Sequence, residues 1–386
     1  MSAAQDALAR VALNQVVEPG RFRLLDRVSA RGAVDVRDEL LAMSGESADH
    51  QLVAQRLRAV DPAAVLERAH RMGLRWVVPG DPEWPSGLDD LEHVEPLHDR
   101  SGVPLGLWVK GPLRLDALAR SVAVVGSRSS TAYGTHVARE IACEVVDKGW
   151  GVVSGAAFGI DQAAHRGALA GEGPTVAVLA CGADRIYPKD HETLFRLLAQ
   201  QGAIVSEAAP GWAPMRVRFL ARNRLIAALT RGTVVVEAAA RSGALTTSTW
   251  ADRLSRPVMG VPGAVTNPLA QGVHQLLRRG GSLVTSGAEV LEHLGAAGEH
   301  VTTEQRGPDR PRDLLSPVDR QVLEAVPLSR PASLESVARL AALETGVVKG
   351  ALESLAGQGM VVHTARGWRQ GAASSDRPLP FLDSRG

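Results

Sequence analysis

The chain has 386 residues, 45% hydrophobic and 22% charged, the balance of a soluble globular protein too long for one ordinary domain. Its 43 basic and 42 acidic side chains leave a net charge of +1, so any nucleic-acid site must be a local patch and not a bulk charge. Cys143 and Cys181 lie apart within apolar segments, which excludes a disulfide framework or a thiolate metal site and fits a reducing cytosol. There is no basic stretch followed by an apolar run at the start and no apolar run of about eighteen residues. Neither a signal peptide nor a membrane span is expected, and the expected location is cytoplasmic.

Residues 1–75 read as an N-terminal helical domain, of the SAM or helix-hairpin-helix kind. Apolar residues recur at helical spacing across residues 7–13 and again at Leu52, Val53, Leu57 and Val60. Asp61-Pro62 pairs an N-cap with proline at the first helical position. Over residues 76–120 proline and tryptophan become frequent, and Leu105 to Gly111 reads as one strand; this is a connecting segment packed on the core.

From 121 to 295 the rhythm is strand, turn, helix. Apolar runs begin at Val122, Gly151, Val176, Ala203, Val234, Pro257 and Ser282, with helical stretches such as 136–148, 192–200 and 220–229 between them. Continuous apolar strands alternating with helices predict a doubly wound, Rossmann-like parallel sheet covered on both faces. Residues 296–313 are polar and rich in Pro and Gly, a linker. Residues 314–370 predict three helices, the first two capped by Ser316 and Ser333, and then a two-stranded wing: a winged helix. The tail, 371–386, is expected to be disordered.

In such a sheet ligands bind at the carboxyl ends of the strands, so the turns there decide the chemistry. The first turn, Gly126-Ser127-Arg128-Ser129-Ser130, lets backbone amides approach an anion while Arg128 neutralises it. The second, Gly155-Ala156-Ala157-Phe158-Gly159, holds an aromatic better placed for stacking a base than for packing a core. The third contains Tyr187-Pro188-Lys189, and four arginines fall between Arg216 and Arg224. If this last stretch is a regular helix, Arg222 and Arg224 point apart, and one of them is a structural ion-pair partner. Asp161 reads as a helix cap in preference to an acid catalyst, and His165 as a packing or capping histidine.

The first turn is not Gly-x-Gly-x-x-Gly, no acidic residue follows the second strand to hold a ribose, and no Walker sequence, Ser-His-Asp set or metal cluster appears. What remains is a row of anion-friendly turns with arginines, the profile of a groove that tracks a nucleic-acid backbone and stacks bases. No catalytic residue, cofactor or metal is expected. The rival reading is a Rossmann-type nucleotide phosphoribohydrolase with Glu237 as its catalytic carboxylate; the turn it would need is here Val-Pro-Gly-Ala-Val-Thr, short of two glycines.

Taken together, Val-Ala-Val-Val-Gly-Ser-Arg (122–128), Ser-Gly-Ala-Ala-Phe-Gly-Ile-Asp (154–161), Val-Ala-Val-Leu-Ala-Cys-Gly (176–182), Arg-Asn-Arg-Leu-Ile-Ala (222–227), Val-Val-Glu-Ala (235–238) and Val-Pro-Gly (261–263) resemble the DprA (Smf) family in order and spacing. The resemblance implies a protein that binds and protects single-stranded DNA, helps load RecA, serves natural transformation where that occurs, and dimerises through its Rossmann-like domain. It places DNA at Gly126, Ser127, Arg128, Gly155, Phe158, Gly159, Lys189, Arg222, Asn223 and Arg224. Two departures stand out: Phe158 occupies a position where many members carry arginine or another residue, and the N-terminal turn is Val17-Glu18-Pro19-Gly20 instead of a Gly-x-Gly hairpin. The third helix of the winged region holds one lysine and two glutamates, which favours a protein-contact or regulatory role over duplex reading.

Overall fold

The computed structural model describes residues 2–42, 48–296, 298–300 and 311–371. The chain divides into two compact units, residues 1–302 and 303–386. In the first unit the helices α1 (Ala3–Asn14), α2 (Phe22–Arg31), α3 (Ala33–Ala42), α4 (Ala48–Arg58) and α5 (Pro62–Arg71) precede a sheet of nine strands. Ser2 opens α1 with a capping box to Gln5, and Asp61 caps α5 through the Ala64 amide, with proline next to it.

The strands and their crossover helices follow in order: β1 (Leu74–Val77), β2 (Leu107–Lys110), β3 (Ser121–Val125), α6 (Ala132–Asp147), β4 (Gly151–Ser154), α7 (Ile160–Ala170), β5 (Thr175–Leu179), α8 (Glu192–Gln201), β6 (Ala203–Ser206), α9 (Arg216–Ala228), β7 (Thr233–Val235), α10 (Ala244–Arg253), β8 (Val258–Gly260), α11 (Gln271–Arg278), β9 (Ser282–Leu283) and α12 (Gly287–Leu294). In space the order is β1-β2-β6-β5-β4-β3-β7-β8-β9. The chain winds outward from β3 to β6, returns to β7 on the other side of β3, and winds outward again. Strands β3 to β9 pair in parallel, with Val122 opposite Val152 and Val124 opposite Val234. Alternate residues of β3 enter two different cores: Val122 and Val124 meet Ile141 of α6, Ile160 of α7 and Trp150, while Ala123 and Val125 meet Leu225 of α9 and Trp250 of α10. Both faces are covered, hence the continuous apolar runs. The change of winding direction puts the topological switch point between the carboxyl ends of β3 and β7.

The 75/76 boundary does not hold. It falls inside β1, and the supposed connecting segment supplies β2, which pairs antiparallel with β1 and β6 and extends the sheet. The Trp76 and Trp108 rings pack at 4.4 Å, and Gly106 leaves room for them, since a Cβ there would lie 2.4 Å from the Trp76 ring. A strand of four residues between a helix and a proline-rich stretch carries too little periodicity to read.

The second unit holds α13 (Pro317–Ala325), α14 (Leu334–Ala341), α15 (Thr345–Gly357) and an antiparallel ribbon of β10 (Val361–Thr364) and β11 (Gly367–Gln370). Ser316 and Ser333 accept from the Asp319 and Ser336 amides, and Val322, Val337, Val348, Leu352 and Leu355 form the core. Lys349 and Glu353, one turn apart on α15, are both exposed. Most of the 296–313 linker and the tail beyond Gly371 lie outside the described residues. Among the described residues no helix is long and apolar enough to cross a membrane.

Candidate nucleic-acid interface

The first turn is shaped by contacts that leave no space for side chains. A Cβ on Gly126 would lie 2.6 Å from Ile160 and 2.8 Å from the Glu237 carbonyl. The Ser127 amide donates to that carbonyl at 2.7 Å, and Ser127 Oγ accepts from the Ser129 amide. Thr131 caps α6 and donates through its amide and its hydroxyl to the two Glu237 carboxylate oxygens, at 2.8 and 2.6 Å. Glu237 is 2% exposed and acts as a strut between the turns after β3 and β7. Arg128 stays exposed, its guanidinium 4.9 Å from the centre of the Phe219 ring.

The second turn sits on a buried cation. A Cβ at Gly155 would overlap Arg222 Nη1 at 1.4 Å, so glycine is required for the guanidinium to pass beneath the turn and reach the Val178 carbonyl. Asp161 lies alongside, fully enclosed. Burial pushes its carboxyl up, while Arg222 and the amides of Ala157, Gly126 and Gly155 draw it down. Burial likewise lowers the Arg222 guanidinium, against the pull of Asp161. Asp161 is thus neither the helix cap, a position held by Gly159 at φ +75°, nor exposed for acid catalysis. Ala156 holds φ +53°, a strained conformation for a residue with a Cβ, and its carbonyl meets Nδ1 of buried His191 at 3.1 Å.

Phe158 projects from this turn, 41% exposed, with the His191 ring edge-on at 4.5 Å. Arg128, Phe158, Leu179, Tyr187, Pro188 and Phe219 line one small recess of about 40 Å³. Tyr187 is also 41% exposed and stands 6.0 Å from the Phe219 ring, with Lys189 exposed just beyond. Phe219 lines this recess though the sequence reading passed it over, and Tyr187 was read only as part of the third turn. The signal for Phe219 was its place three residues before Arg222, on the same helical face.

The 222–224 segment does not reach this surface. Arg224 is 0% exposed and makes a bidentate pair with Glu207 at 2.7 and 2.8 Å. Glu207 also accepts from the Gly20 amide, and its carbonyl from Asn14, whose own side chain accepts from Trp108. Arg224 is therefore the structural partner of the two arginines; it locks the N-terminal turn and α1 onto the sheet, and it leaves the set of DNA contacts. Asn223 donates to the Gly243 carbonyl and ties α9 to the turn after β7. Arg222 stays buried beneath the Gly155 turn, beside Asp161. His165 is a core histidine: Nδ1 meets Thr175 Oγ1 at 2.8 Å, and burial lowers its pKa to about 3. No group of His, Cys, Asp or Glu among the described residues is arranged to hold a metal.

Fold and crevice together define a Rossmann-like protein whose turns at the carboxyl ends of the strands present exposed cations and aromatic rings, with the Asp161 and Glu237 carboxylates buried beneath them. The family model for DNA recombination-mediator protein A matches residues 75–295. A putative DNA processing protein DprA of Mycobacterium tuberculosis (strain ATCC 25618 / H37Rv) is 42% identical over 368 residues, 92% of each chain. The DNA processing protein DprA of Streptococcus pneumoniae (strain ATCC BAA-255 / R6) is 36% identical over 253 residues, 64% of this chain and 89% of that one. The X-ray structure of DprA from Streptococcus pneumoniae superposes with a TM-score of 0.63 at 28% identity, covering 77% of this chain and 100% of that chain. The chain belongs to the DprA/Smf family of DNA recombination-mediator proteins.

Proposed function

We propose that the protein binds single-stranded DNA at the carboxyl ends of β3, β4 and β5. In this reading Arg128 and Lys189 meet phosphates, Phe158 stacks a base, and Gly126, Ser127, Gly155 and Gly159 bring backbone close to the strand. The observation that carries it is the pairing of an exposed arginine that has no carboxylate partner among the described residues with an exposed aromatic in a glycine turn. A phosphate supplies the missing charge and a base covers the ring. A duplex hides its bases, so single strands are preferred. As a recombination mediator the protein would act in the cytoplasm as a homodimer, through its Rossmann-like unit, and pass the strand to RecA, during transformation where DNA is taken up. The hydrolase reading asks for a carboxylate facing the crevice, and Glu237 is spent on Thr131. Fluorescence anisotropy with a labelled oligothymidine and its duplex tests the reading. Binding is expected to favour the single strand and to weaken in Phe158→Ala; equal affinity for both forms with no effect of Phe158→Ala overturns it.

A further inference from the structure

A second crevice, of about 350 Å³, lies on the other side of Phe158 between α6 and α7. Arg128 and Phe158 line both crevices, and here they are joined by Ser129, Arg139, Gln162 and Arg166. Arg139 and Arg166 are exposed and pair with no carboxylate among the described residues. No acidic residue is among those that line the crevice. Three guanidiniums thus converge on one polar space with no counter-charge, an arrangement that like-charge repulsion disfavours until an anion enters. Other arginines of the unit, Arg10, Arg75 and Arg218 among them, are answered by Asp6, Glu83 and Glu18.

We propose that this crevice is a phosphodiester site, in which Arg139 and Arg166, with Arg128 shared, hold the backbone phosphate next to the base stacked on Phe158. The proposal rests on the single-strand reading above and gives the strand its path: over the Phe158 ring, base on the recess side, backbone on the α6–α7 side. The polar lining of Ser129 and Gln162 suits phosphate oxygens and offers nothing to a base face.

The test is the salt dependence of oligothymidine binding by the full chain, comparing the unaltered protein with Arg139→Ala/Arg166→Ala, Arg139→Lys/Arg166→Lys and Arg128→Ala. Losing up to two phosphate contacts lowers the slope of log K against log salt by about 0.7 each and weakens binding about tenfold. The lysine pair is expected to restore most of the slope, and the melting temperature is expected to stay unchanged because both side chains are exposed. An unaltered slope in the double alanine variant, with Arg128→Ala still weakened, overturns this site and leaves the single-strand reading standing. Unaltered binding in every variant takes down both. A loss seen only with a 5′-phosphorylated oligonucleotide overturns the internal phosphodiester in favour of a terminal phosphate.

Discussion

The two ends of the sheet differ in a way that cavity size conceals. At the amino ends of β3, β7 and β8 lies a cavity of about 490 Å³, lined by Trp84, Arg231, Arg256 and His293, and it is larger than either crevice beside Phe158. Yet its cations are already bound. Arg256 donates to the carbonyls of Ala227, Ala228, Thr230 and Gly87 and to Asp90, and Arg231 Nε donates to the Ala119 carbonyl. Those carbonyls follow helix ends and bends where the backbone lacks its own donors. At the carboxyl ends, Arg128, Arg139 and Arg166 have no such partners among the described residues, and the helices α6 and α7 begin there instead of ending. Both ends carry arginines, two lining the cavity and three the crevice; what separates them is whether the guanidinium is already spent.

That contrast can be broken by mutation, and the largest effect falls on an arginine that touches no ligand. Arg224→Ala strands the buried Glu207 carboxylate and is expected to cost about 4 kcal/mol in urea unfolding, with oligonucleotide affinity per folded molecule little changed. A stability loss below about 1 kcal/mol would show that the pair is not what holds the N-terminal turn. Arg256→Ala removes several charge-assisted bonds and is expected to cost about 3 kcal/mol, again without loss of binding. For His165, the folded value of about 3 lies below the ordinary 6.5, so the unfolded chain takes up the proton first. Its contribution is complete above pH 6.5 and falls by about 1.4 kcal/mol per pH unit as the pH drops toward 3. Asp161 opposes this trend, because its raised value favours the protonated folded form at low pH and that contribution is lost as the pH rises through it. A His165→Gln variant is expected to lose the acid slope, and an unchanged slope would assign it to other groups. Smallest in stability is Arg128→Ala, exposed and without a carboxylate partner among the described residues, expected within about 0.5 kcal/mol of the unaltered protein while binding falls about tenfold.

How far the sequence foresaw this can be argued residue by residue. The parallel sheet was legible because strands buried on both faces are apolar throughout, and the crown of turns was legible because glycine marks close approach at Gly126 and Gly155. The Arg-Asn-Arg stretch misled, since a run of basic residues looks like a surface patch. Its helical phase already required Arg222 and Arg224 to diverge, but not that Glu207, seventeen residues earlier, was waiting for one of them. Arg139 and Arg166 were invisible for the opposite reason: each is a lone arginine on its helix, and only the packing of α6 against α7 brings them to one crevice. The strands β1 and β2 were missed or half-read because tryptophan stacking, not periodicity, holds them.

Arg128 and Arg231 offer the most direct test of the central claim. Both are exposed and each lies over an aromatic ring, Arg128 4.9 Å from the centre of Phe219 and Arg231 5.8 Å from that of Trp150, but at opposite ends of the sheet. The measurement is the salt dependence of oligothymidine binding in Arg128→Ala and Arg231→Ala. The slope is predicted to fall by about 0.7 in the first and to stay unchanged in the second. Equal slopes in the two variants, whether both reduced or both unaltered, would contradict a single-stranded DNA site at the carboxyl ends of the strands.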